Sequence, residues 1–411
     1  MLLNDGLENL RKLLDLPALD RGGVLLHVLL HRAPFARSRL PTRVGYRDHN
    51  VLNIVAHSGA RSHMRNARKV LARRGFLAGA LAAPFLAGCS GPTRIAIGGR
   101  ETYTPPPPGI DEIYRTELLE AVTDLATNLA HAETHGDFPA FLTGPLETHQ
   151  RALRTGAEQE KVASAEAESS AHSTSPSESA VRGAKDPVTQ AMTKTSHDLA
   201  ALRDLYAHAA IQVSGDFADL CASGAAWAEQ SAIRLGHRAH AAGVNGVKAP
   251  EKFSDLKPAR EVPEIDPPEP ATADLIATPL KDAQIDENFA AYALEVAATR
   301  VEKSHRDAYV KAANTHAARA EAFAEVAEHL GLDPVAREAG YALPRPLGAK
   351  DAAKMRVDVE AQSLANAVEL AGLAPFTERA AFVRAALESA RALEPLQERI
   401  APFPGIDAGE N

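Results

Sequence analysis

The sequence predicts an all-α protein, and three observations point there. From residue 110 onward alanine dominates and strand-like alternation of β-branched residues is sparse. Aromatic residues make up only 5% of the 411 residues, which leaves little to build stacked sheet faces. Residues 276–400 carry four apolar stripes at helical spacing.

The elements follow in chain order. Residues 1–63 (for example HRAPFARSRLPTRVGYRDHN) are arginine-rich and lack a sustained apolar period. Met64 stands where an export signal should begin. The expectation is that Met64 is the initiator and 1–63 a mis-assigned start, with a cytoplasmic pre-domain as the alternative. Residues 64–88 read as that signal. Arg65, Arg68, Lys69, Arg73 and Arg74 form a positive flank, followed by fourteen uncharged residues from Gly75 to Gly88. A bilayer span needs about 20 residues, so this run is too short to cross and suits a signal-peptide core. Leu86-Ala87-Gly88-Cys89 resembles the bacterial lipobox, in which the cysteine sulfur receives a diacylglycerol and cleavage leaves it as the first residue. Arg73-Arg74 with Phe76-Leu77 resembles the twin-arginine export motif; general secretion is the alternative route. Together these features imply a protein lipid-anchored through Cys89 on the extracytoplasmic face of the cell membrane, with the membrane as its first partner.

Charge divides at the same point. Residues 1–88 hold 14 Lys and Arg against 5 Asp and Glu; the remainder holds 31 against 48, a net of −17. An acidic body of this kind is a poor nucleic-acid binder and is repelled by anionic headgroups. Cys221 is the only cysteine besides Cys89, so lipidation would leave no pair for a disulfide.

Residues 89–109 contain TPPPPG and read as a stiff tether. Residues 110–245 read as a smaller helical domain interrupted by a Ser/Ala/Glu-rich stretch, 155–186, expected to be disordered. Residues 246–275, with Pro250, Pro258, Pro263, Pro267, Pro268 and Pro270, read as a proline-rich linker. Within 276–400 the first stripe is Ile285, Phe289, Tyr292 and Val296. The second is Tyr309, Ala312, His316, Phe323, Ala327 and Leu330, stopping at Gly331. The third is Val357, Ala361, Leu364, Val368 and Ala371, stopping at Gly372, and the fourth is Phe382, Ala386, Leu393 and Leu396. Four such helices with small residues at their seams predict a four-helix bundle, and the long second connection permits the crossover of a ferritin-like fold.

The lipoprotein signal, the Ala-rich helices, His316, the run GYALPRPL and Glu360 together resemble a family of ferritin-like lipoproteins of unknown function from high-GC Gram-positive bacteria. The resemblance spans about residues 276–400. It implies a four-helix bundle outside the membrane and no established activity.

A di-iron carboxylate centre needs glutamates from two helices and Glu-x-x-His from two more. The single Glu-x-x-His here, Glu302 to His305, falls at a helix junction. His316 and Glu360 are the candidate metal ligands, for iron or zinc, and a third is missing: Ile285 occupies the first-helix position where a glutamate would serve. The primary reading of His316 is a buried core residue whose neutral form burial favours. The first domain holds eight of the sixteen histidines, including His131-x-Glu133-x-His135 and His237-x-x-His240; each pair could offer two ligands to zinc or copper, but both read first as helix-end caps or surface residues. Trp227 should pack its helix on the core, and Cys221 reads as a small buried hydrophobe. No Ser-His-Asp pattern, phosphate-cradling glycine loop or zinc-protease helix is present, so no catalytic residue is assigned. The sequence therefore favours a non-enzymatic envelope lipoprotein, without cofactor, that binds or scaffolds an envelope protein or small ligand. A metal-binding or redox protein is the alternative.

Overall fold

The computed structural model describes residues 107–133, 140–169, 187–244, 247–252 and 255–406. Residues 1–63, the signal (Arg73, Arg74, Phe76, Leu77), the lipobox (Leu86, Ala87, Gly88), Cys89 and the tether to residue 106 lie outside the described residues. So do the side chains of His131, Glu133, His135 and His172.

The protein is all-α. The described residues form α1 Ile110–Glu133, α2 Thr143–Leu153, α3 Gly156–Ser169, α4 Pro187–Ala210, α5 Gly215–Ala241, α6 Ala273–Ala298, α7 Lys303–His329, α8 Ala349–Leu373 and α9 Arg379–Leu393, with 3-10 turns at Ala140–Leu142 and Glu394–Leu396. None of these helices is long and apolar enough to cross a membrane.

Helix ends follow local chemistry. α5 and α7 each stop at a glycine in the left-handed region, Gly243 (φ 74°) and Gly331 (φ 71°). In each case the next residue's N–H reaches back to the last turn, Val244 to the Ala239 carbonyl and Leu332 to that of Ala327, both at 2.8 Å. A side chain at either position would meet the backbone strain that glycine avoids. The start of α8 is fixed by Asp351, whose Oδ2 accepts the Gly348 N–H at 2.9 Å.

Packing order repeats along the chain. α1 lies against α2 and α4, and α4 against α5; likewise α6 lies against α7 and α8, and α8 against α9. α5 joins the two sets, because it also packs on α8 and α9. Its alanine-rich surface makes this possible: Ala218, Ala222, Ala225, Ala226, Ala228 and Ala232 are all fully buried, which lets three neighbours approach closely. Trp227, on the same helix, is fully buried in the core as expected. One continuous apolar core runs from Leu118 and Leu125 of α1 through Trp227 to Phe323 and Phe382. Each fully buried Leu or Phe contributes on the order of 2 kcal/mol. Arg379 ties the junction: its Nε donates to the Ala374 carbonyl at 2.9 Å and its Nη1 to that of Val213 in the α4–α5 turn.

Three segments depart from the sequence reading. Residues 156–169, expected to belong to a disordered stretch, form α3. Thr155 and Glu158 cap each other there: the Thr155 N–H donates to Glu158 Oε2 (2.8 Å) and the Glu158 N–H to Thr155 Oγ1 (3.4 Å). The proline-rich linker is pinned as a strap along α4. Ser196, Arg203 and Gln212 donate to the carbonyls of Lys248, Glu251 and Arg260, the His208 ring meets that of Lys257, and Leu256 is buried. The α6 stripe is displaced: Ile285, Phe289, Tyr292 and Val296 are only half-buried. The core face of α6 is instead Ala283, Glu287, Ala290, Ala291 and Leu294. The larger residues face the α7–α8 connection, where the Tyr341 ring lies 5.8 Å from Phe289 and 5.5 Å from Tyr292.

Candidate functional site

The four helices α6 to α9 each contribute a polar group to one buried point. Helical periodicity puts His316 and Arg319 of α7 on one face, and Glu360 and Ser363 of α8 on another, three residues apart in each case. From α6 comes Glu287 and from α9 Ser389. All six are at most 5% exposed.

Glu287 sits at the centre. Its Oε2 accepts from His316 Nδ1 at 2.7 Å, while Oε1 takes the Ser363 hydroxyl and Arg319 Nη1 (3.3 Å). Arg319 Nη1 also donates to Ser363 and, at 2.9 Å, to Ser389 Oγ. Its Nη2 lies 3.5 Å from Glu388 Oε2. On the far side of the imidazole, His316 Nε2 faces Glu360 Oε1 at 3.5 Å. Glu287 holds the Nδ1 proton, whereas Nε2 is buried without a hydrogen-bond partner; the two flanking carboxylates favour the imidazolium.

The electrostatics agree. Burial alone would lower the His316 pKa, but the hydrogen bond to Glu287 and the nearby charges of Glu287 and Glu360 overcome it and raise the value to about 9. Burial pushes Glu287 up, and Arg319, His316 and Ser363 more than offset it, so its carboxyl is held below the usual range. Burial likewise opposes charge on Arg319, and Glu287, Glu360 and Glu388 reverse that. Two carboxylates thus balance one imidazolium and one guanidinium, which offsets a desolvation penalty of several kcal/mol for each buried charge.

His316 and Glu360, the candidate ligands of the sequence reading, are both buried and lie 3.5 Å apart. That reading missed Glu287, Arg319, Ser363 and Ser389. The expectation of a neutral imidazole is overturned: the carboxylates that charge it come from other helices, where spacing along α7 could not show them. The expected missing carboxylate is present as well, as Glu287 rather than at the position of Ile285.

These residues do not fit a metal as they stand. Coordination requires an imidazole lone pair: Nδ1 is committed to Glu287, and Nε2 keeps its proton while the neighbouring carboxylates hold the ring's pKa at about 9. The Arg319 guanidinium fills the remaining side of Glu287. Among the described residues no group of three or more His, Cys, Asp or Glu side chains is placed to hold an ion. His237 and His240 near the end of α5 are exposed. Cys221 is fully buried, and burial pushes its thiol well above the ordinary value, as suits an inert hydrophobe.

Glu360, though buried, is also among the residues lining a cleft of about 480 Å³. α7 supplies Lys311 and Thr315, α8 Arg356, α9 Arg384 and Arg391, α4 Arg203, and the strap Lys252. Six basic side chains line it against three acidic ones, Glu229, Glu360 and Glu388. Glu229 is already committed to Arg203 (3.0 Å) and Arg391. Among the described residues Lys252, Lys311, Arg356 and Arg384 have no carboxylate partner: Arg384 Nε donates to the Ala380 carbonyl of its own helix, and the Arg356 guanidinium lies over the Tyr309 ring at 5.1 Å. Arg356 Nε is buried without a hydrogen-bond partner.

The first helical set has its own buried histidine. His149 of α2 lies against Trp227 and Phe403, with ring centroids at 4.5 and 4.3 Å. Its Nε2 meets the Pro402 carbonyl and its Nδ1 the Tyr206 hydroxyl, both at 2.7 Å. A carbonyl only accepts, so Nε2 carries the proton and Nδ1 accepts from Tyr206. Burial drives this ring's pKa down to about 4.

No curated protein and no solved structure matches the chain. Residues 279–408, which hold α7 to α9, nearly all of α6 and the whole buried ion cluster, match a family model described as Domain of unknown function (DUF4439).

Proposed function

We propose that this chain is an exported envelope lipoprotein, held on the extracytoplasmic face of the cell membrane by a diacylglycerol on Cys89, that binds a small acidic ligand without catalysing a reaction. The α6–α9 set serves as a ferritin-like four-helix bundle in this reading, with residues 330–348 as the crossover and the Glu287–His316–Arg319–Glu360 cluster fixing the register of its helices. The lipobox and twin-arginine pattern support the address. The cleft supports the binding role, and one observation carries it. In a segment with a net charge of −17, four cations without a carboxylate partner among the described residues line a single cavity. Unpaired like charges brought together are unfavourable, and a complementary anion relieves them.

The test uses the full chain purified from membranes in detergent and titrated calorimetrically with small carboxylates and phosphates. At least one should bind with a Kd below about 100 µM, and exchanging Lys311 and Arg384 together for Ala should weaken it tenfold or more, each charge-assisted contact being worth about 1–2 kcal/mol. Both side chains are exposed, so their loss leaves the fold intact. No binding across the panel, or binding indifferent to the double substitution, overturns the role. For the anchor, Cys89→Ala should leave the precursor uncleaved or release the protein from membranes. Full detergent partitioning of a cleaved Cys89→Ala protein would refute lipidation.

The second reading, an iron or zinc protein using His316 and Glu360, draws on Glu287, His316 and Glu360 meeting from three helices. It requires removing a proton that the two carboxylates hold in place.

A further inference from the structure

We infer that the ligand of the cleft is a phosphorylated polyol, either a free sugar or glycerol phosphate or the headgroup of a phosphoinositide-type lipid. This rests on the proposed anion-binding reading and narrows it through three features of the lining. First, the unpartnered cations come from separate elements: Lys311 from α7, Arg356 from α8, Arg384 from α9 and Lys252 from the strap. A carboxylate offers two oxygens in one plane, whereas a phosphate spreads its oxygens tetrahedrally and accepts from donors arriving on several sides.

Second, the same cavity presents Glu360 and Glu388. Beside a simple anion these carboxylates only repel. They become favourable when the ligand brings hydroxyl donors, and Thr315 adds a hydroxyl of its own to the wall. Third, Ala308, Ala312 and Leu387 supply an apolar floor. A polyol ring or chain has C–H faces that such a floor can cover while its hydroxyls turn to the glutamates.

A second cavity of about 740 Å³ continues from the cleft and shares Lys311, Thr315, Arg384 and Glu388. A ligand longer than one sugar phosphate therefore has room to extend between α7 and α9.

The experiment compares probes on the full chain in detergent: glucose 6-phosphate, glycerol 3-phosphate, inorganic phosphate, citrate and unphosphorylated glucose by calorimetry, and vesicles of phosphatidylcholine with or without phosphatidylinositol by flotation. A phosphorylated polyol should bind about tenfold or more tightly than inorganic phosphate or citrate, since a site that hydrogen-bonds a ligand's hydroxyls discriminates against ligands lacking them. Glucose should not bind. The decisive sign lies in Glu360→Gln and Glu388→Gln. Each should weaken the sugar phosphate several-fold and strengthen inorganic phosphate, because the lost charge no longer repels the anion. Glu388 is 55% exposed, so that variant folds even where loss of Glu360 disturbs the buried cluster; a thermal melt checks both. Binding by soluble probes assigns a free ligand, and flotation only with phosphatidylinositol assigns a lipid headgroup. Equal affinity for citrate, inorganic phosphate and sugar phosphate, or glutamine variants that strengthen all of them alike, overturns the polyol inference while the anion-binding reading stands. Failure of every anion to bind overturns both.

Discussion

His149 and His316 hold the same place in the two helical sets. Each lies on the second helix of its set, each follows a threonine, and each is at most 1% exposed. Their charges are nonetheless opposite. His149 is neutral, caught between a hydroxyl and a carbonyl among aromatic rings, with its pKa near 4. His316 is charged, caught between two carboxylates, with its pKa near 9. Burial disfavours the ion in both. The partners decide: a hydroxyl and a carbonyl leave the ring neutral, whereas two carboxylates beside it favour the cation. Depth in the core therefore does not fix a histidine's protonation state.

The largest way to break this contrast is to delete each ring. His316→Leu removes the imidazolium from a balanced cluster and leaves Glu287 and Glu360 facing Arg319 alone. Breaking a buried ion pair from one side costs about 3–5 kcal/mol. His149→Leu removes a neutral ring and leaves the Tyr206 hydroxyl and the Pro402 carbonyl unpaired, at about 1–3 kcal/mol. Denaturant titrations of the two variants should rank them in that order. Equal losses, or a gain from His316→Leu, would mean the ring at 316 is an ordinary core residue.

A smaller effect separates the two sites by pH. His316 has a folded pKa above its ordinary 6.5, so its contribution is complete below 6.5 and is lost as pH rises through about 9. His149 has a folded pKa below 6.5, so its contribution is complete above that value and fades as pH falls through about 4. Glu287, held below its ordinary 4.5, adds to the acid side. Stability should peak in the middle and fall by a few kcal/mol at most on each side. His316→Leu should flatten the alkaline limb and His149→Leu the acid limb. An alkaline limb unchanged in His316→Leu would show that the charge at 316 is misassigned.

The fold class was legible because helical periodicity and alanine content are local properties, and the α7 stripe through Tyr309, His316 and Phe323 lies on the buried face as read. The α6 stripe was not. Large residues were taken to mark the core, yet Phe289 and Tyr292 pack beneath the connection bearing Tyr341, and small residues form the seam with α7 and α8. Glu287 therefore appeared to lie off the core face. Its register with Ala283, Ala290 and Leu294 was the available signal. Arg319, one turn beyond His316, was another. The strap was hidden because proline content says only that the segment is not helical. Its attachment depends on Ser196, Arg203 and Gln212, about fifty residues upstream. The cleft was hidden for a similar reason: its cations are scattered from Lys252 to Arg391 through an acidic chain, and only folding gathers them.

The smallest expected effect is none, and it concerns zinc. A zinc ion at His316 must first displace a proton. With the pKa at about 9, that alone costs about 3 kcal/mol at pH 7. The Arg319 guanidinium, within 3.3 Å of Glu287, then repels the metal from the carboxylate that would complete the site. Neither obstacle exists at His149, but there the lone pair on Nδ1 already accepts from Tyr206 and, among the described residues, no carboxylate pairs with the ring. Zinc or iron added in slight excess should leave the melting temperature of the full chain within about 1 °C of the chelated sample, since binding must exceed half-saturation to shift it appreciably. A metal-dependent rise present in the wild type and absent in His316→Leu would erase the contrast. His316 would then be neutral and ligating in the loaded protein, and the cluster would be a metal centre held closed by its proton.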